Sequence, residues 1–176
     1  MASHPAFLVV LAKIAQAKKA VAHMKLNDQH QKSLASTNPS LYSEAVHAES
    51  MSTNVQGIYT HLESILKSMA NTIDGFAPSG ESSHRDLLLQ VSISGENRSA
   101  IIQPATLSAL TQLSRFRHAV CNNYAEDLRS AGVFASVTLL ENAAESFFAD
   151  LQAFIASFEG DGGGGDATRH AKPLGS

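Results

Sequence analysis

The string Ser114-Arg115-Phe116-Arg117-His118-Ala119-Val120-Cys121-Asn122-Asn123-Tyr124 gathers two guanidinium groups, an imidazole, two amides and a phenol into eleven residues. Such a set suits anion chemistry. A guanidinium fork matches two phosphate oxygens, an imidazole moves protons near neutral pH, and amides hold a bound oxyanion or water. Arg117 and Tyr124 are seven apart, two helical turns, so they share one face, with Cys121 between them and Leu113 and Leu128 along the same stripe. An arginine inside an apolar stripe needs a carboxylate, a phosphate or a subunit interface to offset its desolvation. Residue chemistry leaves two readings open. In one, Arg117 is structural, paired to a Glu or Asp of a neighbouring helix, and Tyr124 is a core residue with a wet hydroxyl. In the other, Arg117 is the fork of an anion site, with His118 beside it and amide donors around it.

Most of the remaining histidines are quieter. His23, His30, His47, His61, His84 and His170 show no metal-ligand spacing, and none pairs with another His or with Cys one helical turn away. They read as solvent-facing or simply hydrogen-bonded, and the sequence calls for no metal and no cofactor.

Prolines mark the elements that must position these groups. Pro5, Pro39 and Pro104 each precede a run with apolar spacing of three and four, and proline is well placed in a first helical turn, where its missing N–H has no partner to lose. A first helix is predicted from Pro5 into the low thirties, with Phe7, Leu11, Ile14, Val21 and Met24 on its apolar face. A second is expected over Pro39–Ile73, N-capped by Asn38, with Leu41, Ala45, Ala48, Val55, Leu62, Ile65, Met69 and Ile73 in its stripe. Gly57 inside it marks a local weakness or a close approach. Asp74-Gly75 and Pro78-Ser79-Gly80 form a loop. Ser83–Ser94 reads as a short helix, although Leu89, Val91 and Ile93 alternate as a strand would. A long helix starts at Pro104 and ends near Gly132 as its C′ glycine. The last runs from about Phe134 to Phe158 through Val137, Leu140, Ala144, Phe147, Leu151 and Phe154. The fold class expected is all-α, an up-down bundle of four long helices and one short helix over residues 1–159, followed by a flexible Gly-rich tail, 160–176.

Composition excludes several classes. In 176 residues, 44 % hydrophobic and 16 % charged content supports one domain with a real core. A single cysteine, Cys121, rules out a disulfide framework and multi-Cys zinc sites, and it fits a reducing, cytoplasmic setting. The apolar run Ala6–Ala12 is followed by Lys13, Lys18 and Lys19 within a continuing helical pattern, so no export signal is read. No stretch reaches the roughly 20 apolar residues of a membrane span. A net charge of −3 leaves room only for a local nucleic-acid patch.

Three segments, in order, resemble the HepT-like members of the HEPN superfamily, ribonuclease toxins of prokaryotic toxin–antitoxin pairs. Ile58-Tyr59 through Glu63-Ser64-Ile65-Leu66 is similar to the family's Tyr…Glu-x-Ile-Leu helix. Ser83-His84-Arg85-Asp86-Leu87-Leu88 is similar to its Trp-His-x-x-Leu-Leu segment, with Ser83 for the Trp. Leu113-Ser114-Arg115-Phe116-Arg117-His118 followed by Tyr124-Ala125-Glu126-Asp127-Leu128 resembles its Leu-x-x-Phe-Arg-His…Tyr-x-x-x-Leu helix, which carries Arg-x4-His-x-Tyr. The likeness runs from about Tyr42 to Phe158. Arg117 takes the Arg position, His118 the polar neighbour and Tyr124 the Tyr, but Asn122 stands where the His belongs.

The resemblance implies a metal-independent endoribonuclease. The catalytic positions are then Arg117, Asn122 in the His position, and His118, with Arg115 and Arg117 contacting RNA. It also implies a homodimer lining one cleft with both motif helices. On a straight helix, positions five apart diverge by roughly 140°, so a dimer cleft or a kink must bring Arg117 and position 122 together. The implied partner is a nucleotidyltransferase antitoxin that transfers AMP to Tyr124, placing bulky negative charge in an anion cleft. Asn122 cannot accept and return a proton at pH 7, so the nuclease step is impaired or absent and the chain reads as a disabled or degenerate toxin. The alternative is a non-catalytic helical partner of the nucleotidyltransferase.

Overall fold

A computed structural model describes residues 5–80, 82–95, 98–121 and 130–161. The described chain is all-helical. A 3-10 turn, Pro5–Phe7, leads into α1 (Leu8–Thr37), followed by α2 (Glu44–Ile73), α3 (Ser83–Ser92), α4 (Pro104–Cys121) and α5 (Ser130–Asp161). Among the described residues the only β-type pairing is an isolated bridge between Gly95 and Arg98. The 83–94 segment is therefore helical over Ser83–Ser92, with Ile93 extended at its end. Its alternating Leu89 and Ile93 are exposed, while Leu87, Leu88 and Val91 are buried at helical spacing.

Apolar stripes of the helices close on one core. Phe7, Met24, Met51, Leu62, Ile65, Leu66, Met69, Leu87, Leu110 and Phe147 are among its fully buried side chains. Burying a side chain of this size stabilises the fold by about 1.5–3 kcal/mol. Helix α2 is the hub, packing against α1, α3, α4 and α5. The contacts between α1 and α2 run in opposite chain order. Lys13 Nζ donates to Ser64 Oγ (2.9 Å) and Ser68 Oγ (2.7 Å), and Asn27 Nδ2 donates to Ser50 Oγ (3.1 Å). Deeper in this seam, Asp28 Oδ1 lies 3.0 Å from Nε2 of the buried His47, whose Nδ1 meets the Tyr42 hydroxyl at 3.2 Å. Lys32 Nζ reaches the other Asp28 oxygen at 2.6 Å.

Several helix ends differ from expectation, and α1 runs on past the low thirties to Thr37. Asn38 does not cap α2; its N–H closes α1 on Leu34 O at 2.8 Å, and its side chain accepts from Ser40 Oγ. Residues 39–42 are a turn, and Ser43 is the N-cap, in extended backbone, accepting from the Val46 N–H. A proline opens a turn as readily as a helix. Here Ser43 offers the better cap, and Leu41 and Ala45 are left exposed outside the core stripe. Gly132 does not terminate α4. It sits in the first turn of α5, which begins at Ser130, before Phe134, and ends at Asp161. Whether the 104–132 helix continues past Cys121 concerns residues 122–129, outside the described set, as does the tail from residue 162.

The crossing from α2 to α4 is pinned by one arginine. Asp74 follows the last turn of α2, and Gly75 after it takes φ +78, a conformation glycine adopts without strain. Arg98 grips Asp74 with both arms of its fork (Nε–Oδ1 2.6 Å, Nη2–Oδ2 2.8 Å) and donates to the carbonyls of Gln90 and Ile93. This fastens the ends of α2 and α3 together and sets where α3 and α4 lie against α2.

Candidate functional site

Helix α2 presents Tyr59, Glu63 and Leu66 on one face, at steps of four and three. Helix α4 answers with Leu110, Ser114 and Arg117 at the same steps. The first turn of α3, with Ser83 buried, brings His84 to the same place. Glu63 is the centre of the cluster, only 7 % exposed at its side chain. Its Oε2 accepts from Arg117 Nη1 at 3.3 Å, and its Oε1 accepts from His84 Nδ1. Because a carboxylate only accepts, Nδ1 must carry the imidazole proton in the neutral ring, leaving the Nε2 lone pair free of the carboxylate. Arg117 Cζ lies 5.9 Å from the Tyr59 ring centroid, within cation–π range. Tyr59, Glu63 and His84 sit over a small recess floored by Leu66, Leu87, Leu88 and Leu110.

The electrostatics follow from this packing. Burial, then the Arg117 charge, hold the His84 imidazole below its ordinary value of 6.5. The ring is accordingly neutral at pH 7. Burial pushes the Tyr59 phenol above 10.0, opposed by a hydrogen bond with Ser114 and by the Arg117 charge. Glu63 is buried, but its two cationic or donor neighbours are not: Arg117 is 30 % and His84 41 % exposed at their side chains. The cluster can therefore offer an anion a partly hydrated guanidinium beside a neutral imidazole.

A shallow groove adjoins it between α3 and α4, lined by Arg85, Leu88, Leu89, Leu107, Thr111, Ser114 and Arg115. Arg85 and Arg115 are exposed and form no ion pair among the described residues.

Of the positions singled out in the sequence, Arg117 is the one brought into this cluster. The structural reading of it is right about the contact, since a carboxylate of a neighbouring helix holds it. That contact lies at an accessible edge of the molecule and shares its carboxylate with a histidine. Arg115 lies in the adjoining groove, and His118 is exposed on α4. Asn122 and Tyr124 fall outside the described residues. Tyr59, Glu63, His84 and Ser114 were not assigned site roles from residue chemistry. A signal for Glu63 was present: it is a carboxylate set among Tyr59, Leu62, Ile65 and Leu66 in the α2 core stripe, the mirror image of the Arg117 anomaly.

The fold and this cluster define a helical domain that bears a polar edge, with a carboxylate, a guanidinium and an imidazole, where α2, α3 and α4 meet. A model of a family described as HepT-like protein matches residues 50–158, well over half of the chain and including every residue of the cluster. The chain belongs to this HepT-like family of the HEPN superfamily. No curated protein and no solved structure matches it. Among the described residues, no helix is long and apolar enough to cross a membrane, and no group of three or more His, Cys, Asp or Glu is placed to hold a metal ion.

Proposed function

We propose that this chain is the toxin of a toxin–antitoxin pair, an endoribonuclease of the HEPN type whose motif histidine is replaced by Asn122. The observation that carries the reading is Arg117. By sequence resemblance it takes the family's Arg position, it lies within the matched region, and its guanidinium is 30 % exposed beside the His84 imidazole that shares Glu63 with it. The nucleophile is part of the substrate. The ribose 2′-oxygen attacks the adjacent phosphorus, the P–O5′ bond breaks, and the 2′-hydroxyl proton passes to a base while O5′ takes one from solvent. The products are a 2′,3′-cyclic phosphate and a 5′-hydroxyl. Arg117 binds the non-bridging oxygens as charge builds on them. Arg115 adds a phosphate contact, His118 and Asn122 stand at the motif's polar-neighbour and His positions, and two protomers joined at their motif helices double this small patch of positive charge. The cognate partner is a nucleotidyltransferase: the Tyr124 phenol oxygen attacks the α-phosphorus of ATP, pyrophosphate leaves, and the phenol proton goes to solvent. The AMP then blocks the cleft by charge and bulk.

The test compares the chain with Asn122→His and Arg117→Ala for RNA cleavage in vitro and growth arrest on expression. Asn122→His should cleave faster and arrest growth, and Arg117→Ala should do neither. A harmless, inert Asn122→His variant, indistinguishable from Arg117→Ala, overturns the nuclease reading.

The Arg117–Glu63 pair, together with Asn122, favours one second reading: a non-catalytic helical partner of the nucleotidyltransferase. Mixing the chain with that enzyme and ATP separates the two. AMP on Tyr124 by mass spectrometry supports the toxin; stable association without modification supports the partner.

A further inference from the structure

We propose that His84, on α3, is the general base of this chain's RNA cleavage, taking the 2′-hydroxyl proton that position 122 cannot take. The inference rests on the ribonuclease reading and names a residue outside the motif helix. Four observations carry it.

The first is placement. The two oxygens of one carboxylate, Glu63, hold the imidazole of His84 and the guanidinium of Arg117. The two side chains thereby face the same carboxylate, close enough for the Arg117 charge to act on the imidazole, and a phosphodiester could meet both at once. The second is tautomer. Glu63 accepts from Nδ1, which leaves Nε2 as the unprotonated nitrogen, and a carboxylate behind an imidazole both fixes the ring and supports the imidazolium formed on proton transfer. The third is protonation state. Among the described residues, the titratable groups placed at the imidazole from the packed helices are Glu63 and Tyr59 from α2 and Arg117 from α4. Burial holds the Tyr59 phenol above its ordinary 10.0, and burial, then the Arg117 charge, hold the ring below its ordinary 6.5, which favours the unprotonated form at pH 7. A base must begin in that state. The fourth is access. The His84 side chain is 41 % exposed. The groove beside it carries Arg85, next to His84 in the chain, and Arg115, two residues before Arg117. Those two exposed cations can seat phosphates on either side of the scissile one, with Leu88, Leu89 and Leu107 as an apolar floor for a base.

In the cleavage step, His84 Nε2 takes the 2′-hydroxyl proton as O2′ bonds to phosphorus. The P–O5′ bond breaks, O5′ is protonated by solvent, and the imidazolium returns its proton to water.

The experiment follows cleavage of a fluorophore–quencher single-stranded RNA of mixed sequence, with the all-DNA strand as control, by the full chain and by His84→Ala, His84→Gln, Asn122→His and the double variant His84→Ala/Asn122→His. His84→Gln keeps an N–H donor toward Glu63 and so preserves the Arg117 geometry without a titratable ring. The chain should cleave the RNA and leave the DNA intact. Both His84 variants should lose on the order of 100-fold or more in kcat, the usual worth of a positioned base. The double variant should recover activity through the restored motif histidine. The ascending limb of the kcat/KM–pH profile should lie below 6.5 and vanish in His84→Gln.

Retention of rate or of that limb in His84→Gln overturns the assignment. So does an inert chain beside an active Asn122→His variant, which leaves the ribonuclease reading standing. Should Asn122→His also be inert, the ribonuclease reading falls and the base assignment with it.

Discussion

The two sides of the Glu63–Arg117 pair differ in burial, and that difference makes a sharp prediction. At 3.3 Å and an effective dielectric constant of about 20, their attraction is about 5 kcal/mol before lost hydration is set against it. What matters for a variant is which charge is left behind. Arg117→Met keeps the side-chain stem and strands the Glu63 carboxylate, 7 % exposed, with only His84 for a partner. Stranding a buried charge costs about 3 kcal/mol or somewhat more. Glu63→Gln keeps the shape and the acceptor for His84 Nδ1. It leaves Arg117, 30 % exposed, free to turn into water, at a cost of about 1 kcal/mol. Glu63→Gln/Arg117→Met removes both charges and should fall nearer the milder single variant. The double-mutant cycle should then give a coupling of at least about 1.5 kcal/mol. Urea unfolding measures all of this. With a slope of about 2 kcal/mol per molar, Arg117→Met should unfold about 1 M earlier than Glu63→Gln. Moderate acid, which neutralises the stranded carboxylate, should return part of the loss in Arg117→Met alone. Equal losses from the two single variants, or strictly additive ones, would refute the reasoning that a buried carboxylate organises this edge.

Two further outcomes concern the scaffold. Arg98→Met removes both arms of the Asp74 clamp and should cost about 3 kcal/mol. The Arg98 hydrogen bonds hold the Asp74 carboxyl below its ordinary 3.8. The clamp's contribution is therefore full above that value and lost as pH falls below it through the folded-state pKa. Urea midpoints should show the wild type losing stability in this acid window more steeply than Arg98→Met, and parallel acid profiles would count against the clamp. Gly57 lies exposed in α2, and a Cβ built there meets nothing within 4 Å. This glycine is thus a local weakness and not a close approach, so Gly57→Ala should raise stability by about 0.5–1 kcal/mol. A loss of stability in the melting curve would contradict that.

Much of the helix layout was legible in the chain. Stripes such as Phe7–Ile14–Val21–Met24 and Leu62–Ile65–Met69 repeat at helical spacing, and a stripe of that kind has no other way to bury itself. Helix ends were less legible, because caps are a local contest. Asn38 and Pro39 read as the start of α2, but the helix begins at Glu44 behind Ser43, whose side chain accepts from the Val46 N–H. Gly132 carried no mark to distinguish a helix end from the first turn of the next helix. Arg117 stood out as a charge in an apolar stripe, and three ordered segments pointed to the HepT-like family.

The partners of Arg117 were decided only by the tertiary structure. Glu63 and Arg117 are more than fifty residues apart, and His84 sits on a third helix. Periodicity shows which face a residue occupies on its own helix. It does not show how α2, α3 and α4 are rotated and slid against one another. That rotation depends on how the whole core packs and on where Arg98 fastens the ends of α2 and α3. A carboxylate, a guanidinium and an imidazole, each unexceptional on its own helix, become one site only once that packing has set their registers.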